Sequence, residues 1–291
     1  LMVPMWTFPI ALVMGNTVVL KPSEKVPLTM QRTVQLLKEA GLPPGCLNLV
    51  QGDKRAVQAL LAHDAVNVVT FVGSSPVAEF IHTSCANKRC LALGGAKNHL
   101  IALADCDIDS TAQDVVVSCC GCAGQRCMAA SVILLIGHQD VLLEKIVEKA
   151  KMIQAGTGPK QMGPVIDEIS YKRILSYIEQ AERDGAKVLL DGRDWKREKG
   201  CWIGPTILLH TSSTDATMKN EVFGPVLSVY VCKSWQEAID IENSSDFGNA
   251  SSVYTRSGAV ADWFCNKLKS AMLGVNIGIP VPREPFSFGG W

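Results

Sequence analysis

Short β-branched runs alternate with amphipathic, helix-length stretches along this chain, and that alternation limits its fold more than any other feature. "TVVLK" (17–21), "CLNLVQG" (46–52), "VNVVTFVG" (66–73) and "RCLALGG" (89–95) read as strands. Between them lie "PLTMQRTVQLLKEAG" (27–41), "KRAVQALLAH" (54–63) and "SPVAEFIHTSCAN" (75–87), which read as helices. The first has Pro27 near its start and Gly41 at its C-cap. A second set opens at "NHLIALAD" (98–105), with strands "SVILLIG" (131–137), "AKVLLDG" (186–192), "PVLSVYVC" (225–232) and "ASSVYT" (250–255). Helices are predicted over 109–120, capped by Asp107 or Asp109, and near 139–152, 169–184, 235–243 and 259–269. Strands alternating with helices require parallel crossover units and a covered sheet. The glycine-bearing "LGGAKNH" (93–99) joins the two sets, which predicts an α/β protein with domains over 1–95 and 96–291.

Composition narrows the classes. Of the 291 residues, 47% are apolar, enough for a sizeable core, and the formal net charge of +0 leaves no footprint for nucleic acid or an anionic membrane. "FPIALVMG" (8–15) is too short for a membrane span and is interrupted by Pro9. The chain starts at Leu1 without a charged segment before an apolar one, and so reads as a processed product or a fragment. Its 11 cysteines are odd in number and lie in apolar runs such as "VVVSCCGC" (115–122), a usage that fits a reducing compartment.

No GxGxxG fingerprint is present, but two features do similar work. Lys21 and Glu24 lie just past the carboxyl end of a strand, where ligands bind in open α/β sheets, and could hydrogen-bond ribose hydroxyls. In "TFVGSSPVAEF" (70–80), Gly73 permits a tight turn, Ser74 or Ser75 can cap, and Pro76 suits a first helical turn whose free N–H groups attract phosphate. Each has an ordinary reading, a solvated loop and a capped helix. Together, on two strands of one sheet, they favour a dinucleotide.

"CCGCAGQRCMAA" (119–130) admits several readings. The spacing matches no usual zinc or iron–sulfur pattern, no paired His stands nearby, and the redox argument disfavours a disulfide. Cys119, Cys120 and Cys122 are predicted to be small core residues at a helix end. Cys127 follows Gly124 on a loop where a substrate can approach the backbone, and Arg126 beside it can lower the thiol pKa and hold an anion. It is either an activated thiolate or a loop cysteine next to a surface arginine.

"GQRC" (124–127), "EVFGPV" (221–226), "LGG" (93–95) and "GNTVVLKPSE" (15–24), in that family's order and rough spacing, resemble the NAD(P)-dependent aldehyde dehydrogenase superfamily over essentially the whole chain. The resemblance implies an aldehyde dehydrogenase-like fold, with a variant Rossmann NAD-binding domain, N-terminally incomplete, in 1–95. The second α/β domain, 96–291, would be catalytic and incomplete at its C-terminal end. It implies that Cys127 attacks the aldehyde and carries a thioester. Lys21 and Glu24 match adenosine-ribose contacts, Lys25 is expected to be a further cofactor-binding residue, Ser74 matches a pyrophosphate contact, and Glu221, with Phe223 beside it, the nicotinamide ribose. No metal is implied, and Glu24 would repel a 2′-phosphate and so favours NAD.

Most hydrolytic members carry a glutamate before "LGG"; here the position is Ala92, which removes the usual base for water attack and points to acyl transfer to coenzyme A. "LGGAKNH", "GQRCMA" and "PVPREPFSF" (280–288) are most similar to the methylmalonate/malonate-semialdehyde dehydrogenase branch, in which Arg126 would pair with the substrate carboxylate. The expected reaction is oxidation of the semialdehyde with NAD and CoA to acetyl- or propionyl-CoA, in valine- or thymine-type catabolism. A homo-oligomer and the mitochondrial matrix, or the cytoplasm of a bacterium, are implied in the same way. The chain is expected to begin just after the family's "NFP" asparagine and to stop short of its terminal segment. The competing readings are a hydrolytic aldehyde dehydrogenase and a truncated relic that binds nucleotide or a partner subunit. His99 is expected to be a satisfied interface histidine and Glu168 a surface residue.

Overall fold

The computed structural model describes residues 2–85, 87–195, 199–282 and 287–290. Contacts divide the chain into two compact units, Leu1–Gly95 and Ala96–Trp291.

The first unit runs α1 (Met2–Met5), α2 (Phe8–Val13), β1 (Val18–Leu20), α3 (Pro27–Glu39), β2 (Leu47–Leu49), α4 (Lys54–Ala62), β3 (Val68–Val72), α5 (Ser75–Ser84) and β4 (Arg89–Leu93). Pro27 opens α3 where a missing N–H costs nothing, and Gly41, at φ +96°, takes the left-handed turn after it. Asp53 caps α4 by accepting from the Arg55 N–H. Among the described residues β1 pairs only with β2 and β3 only with β4, both in parallel. This corrects the expectation that the Lys21 and Ser74 features share one sheet: they follow strands of separate two-stranded ladders. In the second ladder Val69, Phe71, Cys90 and Ala92 pack on a small core of Leu61, Ile81 and Cys85. Val68 and Leu91, which point the other way, are 57% and 50% exposed.

The second unit contains β5 (Asn98–Ala102), α6 (Ile108–Cys120), β6 (Ala130–Ile136), α7 (Asp140–Lys151), α8 (Glu168–Arg183), β7 (Lys187–Leu190) and β8 (Thr206–His210). There follow α9 (Ala216–Lys219), β9 (Val226–Cys232), α10 (Trp235–Asn243), β10 (Ala250–Tyr254), α11 (Gly258–Cys265) and β11 (Met272–Val275). The strands form one seven-stranded sheet, ordered β11-β10-β5-β6-β9-β8-β7, parallel except for the edge strand β7. β8 ("TILLH") and β11 ("MLGV") are strands that the pattern reading does not anticipate. Alternate residues feed two cores. Leu100, Ile133 and Leu135 face α6, α7 and α8, where Ile146, Ile174 and Ile178 are buried. Ile101, Val132 and Leu134 face α10 and α11, where Ile239 and Phe264 are buried. Burial on both faces explains why "VILLI" is apolar without alternation. Asp107 is the residue that caps α6, accepting from the Ser110 N–H at 3.0 Å.

No described helix is long and apolar enough to cross a membrane. Residues 283–286 of "PVPREPFSF" lie outside the described residues.

Candidate active site

In the first unit, Lys21 follows β1 and donates to Gly52 O at 2.9 Å and to Glu24 Oε2 at 3.4 Å. The Glu24 carboxyl is held below its ordinary range by its own backbone N–H and by Lys21 and Lys25. Lys25 is exposed, with its backbone N–H on Ser23 Oγ at 3.3 Å. These three residues therefore share one turn. Ser74 stands at the N-cap of α5, but its side chain makes no cap hydrogen bond, so hydroxyl and helix end remain available to an anion. The neighbouring Ser75 Oγ accepts from the Gly95 N–H at 3.0 Å.

In the second unit the sequence-predicted residues gather at the amino ends of adjacent parallel strands: Cys127 just before β6, Glu221 and Phe223 just before β9. After α6 the chain makes a left-handed turn through Cys122 (φ 54°), Ala123 (φ 54°) and Gly124 (φ 67°). A Cβ on Gly124 would lie 2.0 Å from Gly224 O, so the loops before β6 and β9 meet backbone to backbone. Ala96, Gly124, Arg126, Glu221 and Phe223 line a crevice there. Phe223 is itself in the left-handed region, at φ 52°, and is 37% exposed.

All 11 cysteines are free thiols. Cys119 and Cys120 are buried as expected, at 2% and 7% exposure, but Cys122 is exposed. The left-handed turn ends the helix before Cys122 and sends its side chain outward, which corrects its placement in the core.

Cys127 is half-buried. Burial and the nearby Glu221 push its thiol up, opposed by the backbone N–H groups of Cys127 and Met128 and, least, by Arg126. The expectation that Arg126 lowers this pKa below the ordinary value is thereby corrected. The physical reason is that burial and Glu221 outweigh the guanidinium, whose Nη2 donates to Val117 O at 3.4 Å and Ser118 O at 3.2 Å and caps the end of α6. Arg126 Nε is buried without a hydrogen-bond partner among the described residues.

Glu221 is anchored through Oε1, which accepts from the Ala96 N–H at 3.0 Å, while Arg173 donates to Glu221 O at 3.3 Å. Burial raises the Glu221 carboxyl, against the pull of the Ala96 N–H, Arg173 and Lys97. Lys97, 2% exposed, is lowered by burial from the ordinary 10.5 to about 7, with Cys119 and Glu221 acting the other way. His99 is also 2% exposed; its ring pairs with Glu242, which makes it a core histidine of this unit. Glu168 is on the surface, paired with Lys172 at 2.7 Å.

Sequence reasoning did not single out Lys97, Asn98, Arg173 or Asn249. Asn98 and Lys97 lie inside "LGGAKNH", but their types carry no chemical signal until the strands that surround them are placed. Among the described residues no group of three or more His, Cys, Asp or Glu could hold a metal ion.

The two-sided parallel sheet and a cysteine loop packed on an "EVFGP" loop define the class. The chain belongs to the aldehyde dehydrogenase family, whose sequence profile matches residues 1–291. Relatives sharpen the comparison. Malonate-semialdehyde dehydrogenase 2 of Geobacillus kaustophilus is 42% identical over 299 residues, covering 100% of this chain and 62% of the relative. Methylmalonate-semialdehyde dehydrogenase of Oceanimonas doudoroffii matches with a TM-score of 0.97 at 41% identity, over 100% of this chain and 62% of that one. A candidate methylmalonate-semialdehyde dehydrogenase of Sinorhizobium meliloti 1021, solved in complex with NAD, gives 0.96 at 40% identity, with coverage of 100% and 61%. The chain thus spans about three fifths of the length of the relatives it matches.

Proposed function

We propose that the protein containing this chain oxidises malonate or methylmalonate semialdehyde to an acyl-CoA through a thioester on Cys127. The observation that carries the reading is the Cys127 loop: a half-buried thiol on a loop packed against Gly224, next to an arginine whose Nε is unpaired. Arg126 holds the substrate carboxylate and so turns the aldehyde carbon toward Sγ. Sγ adds to that carbon, and hydride loss from the thiohemiacetal leaves the thioester. NAD, when bound, supplies the hydride acceptor. Lys21, Glu24 and Lys25 are the residues proposed for its adenosine ribose, Ser74 for its pyrophosphate, and Glu221 with Phe223 for its nicotinamide ribose. Their fit rests on the Lys21–Glu24 turn and on a Ser74 hydroxyl not spent on its own helix. Release of the carboxylate as carbon dioxide and attack by the CoA thiolate complete the turnover.

Ala92 supports CoA over water as acceptor. Its methyl group packs against apolar residues and can take no proton from water, whereas a thiolate needs no such base. The test is product analysis with malonate semialdehyde and NAD, with and without CoA. Acetyl-CoA that forms together with NADH is the expected result; free acid formed at a rate indifferent to CoA overturns acyl transfer. Cys127→Ser should abolish NADH formation, and retained activity would remove the nucleophile.

A further inference from the structure

The carbonyl oxygen of Cys127 accepts from Asn98 Nδ2 at 2.7 Å and from Asn249 Nδ2 at 3.1 Å. A carbonyl has two lone pairs, so this oxygen is saturated. Asn98 gives its other N–H to Ala129 O at 2.7 Å, and Asn249 Nδ2 is 3.2 Å from Asn98 Oδ1, so the two carboxamides fix each other. Met128 Sδ, a weaker acceptor, is 3.0 Å from the same nitrogen. Asn98 is 1% exposed and sits where the β5–β6 register shifts. Asn249 enters β10 from the other side of β5. A parallel ladder closes without either side chain, yet both are spent on one loop carbonyl.

That oxygen belongs to the same planar, trans peptide group as the Met128 N–H. In a trans peptide the two bonds point in opposite directions, so holding the oxygen aims the N–H. The Met128 N–H favours the ionised form of the Cys127 thiol, as does the N–H of Cys127 itself. Donors on the oxygen also polarise the peptide and strengthen its N–H as a donor. The charged groups facing the sulfur are Glu221, which opposes the thiolate, and Arg126, which favours it.

We propose that Asn98 and Asn249 form a carboxamide clamp that orients the Cys127–Met128 peptide and keeps the Met128 N–H on Cys127 Sγ. They are positioning residues for the nucleophile. The inference rests on the reading of Cys127 given above, but its test needs no turnover.

The test is the rate of iodoacetamide alkylation of Cys127 as a function of pH, read by mass spectrometry. Trypsin cuts after Arg126, which places Cys122 and Cys127 on different peptides. Asn249→Leu keeps the bulk and removes the donors. The alkylation profile of Cys127 should move about one pH unit to the alkaline side, a roughly tenfold slower reaction below its midpoint. The profile of Cys122 should stay in place, and Asn249→Gln, which can still donate, should recover part of the rate. Asn249→Ala is read identically should the Leu variant not fold. A Cys127 profile that superimposes on the parent's, or a Cys122 profile that shifts equally, overturns the clamp. If instead Cys127→Ser still reduces NAD, the nucleophile reading fails while the alkylation result stands.

Discussion

At Lys97 a charge that water would hold easily is placed where water does not reach. The ordinary lysine pKa of 10.5 falls to about 7 in the folded chain. Between those values the unfolded chain binds a proton that the folded chain does not, so this residue's contribution makes stability rise with pH through the window. Below about 7 both forms are protonated and the burial cost is carried in full. Lys97→Met should therefore be more stable than the parent near pH 7. The gap should close at up to roughly 1.4 kcal/mol per pH unit and vanish near the unfolded value. Urea midpoints of both proteins across the window check this. The sequence marks Lys97 only as a charge after two glycines and an alanine; its burial follows from strand neighbours it does not reveal. Cys127, Glu221, Lys21 and Glu24 were legible as chemistry-bearing residues in short motifs. The direction of the Cys127 shift was not, because burial and the neighbouring Glu221 set it, and both follow from strand placement that the motif does not reveal.

The loops entering β6 and β9 behave as one element because their backbones touch at Gly124 and Gly224. Gly124→Ala would place a methyl 2.0 Å from Gly224 O and 2.3 Å from Gly224 C, at a backbone angle that side chains avoid. It should cost more than about 3 kcal/mol and disrupt the crevice. Gly258→Ala, in a first helical turn with nothing within 4 Å, is the control and should be neutral or slightly stabilising. Thermal melts of the two variants decide it. Most strands and helices were visible in the periodicity, since β-branched runs and amphipathic stretches alternate cleanly. "TILLH" and "MLGV" were missed because each is a short apolar run between irregular segments, without a turn signal that separates strand from loop. Nor does periodicity state which strands lie side by side. The placement of β10 and β9 against β5 and β6, and with it the meeting of Asn249, Asn98 and Cys127, had no sequence signature.

The two units differ in how their strands are protected. β6 and β9 lie inside a seven-stranded sheet with helices on both faces, whereas β1–β2 and β3–β4 are two-stranded ladders with Val19, Val68 and Leu91 at least 45% exposed. Isolated two-stranded ladders are marginal in water. Amide hydrogen exchange should accordingly protect Val132–Leu135 and Leu227–Val231 for orders of magnitude longer than Val18–Leu20 or Val68–Val72. Equal protection in both units would contradict this account.

The carboxamides that grip Cys127 are 151 positions apart. Asn98 and Asn249 reach that thiol loop from strands far apart in the chain, so an interval of 151 residues must close before the sulfur acquires these neighbours. Contacts of such high order form slowly and late. A nascent or partly assembled chain therefore carries an unclamped cysteine at this position until β10 has docked on β5.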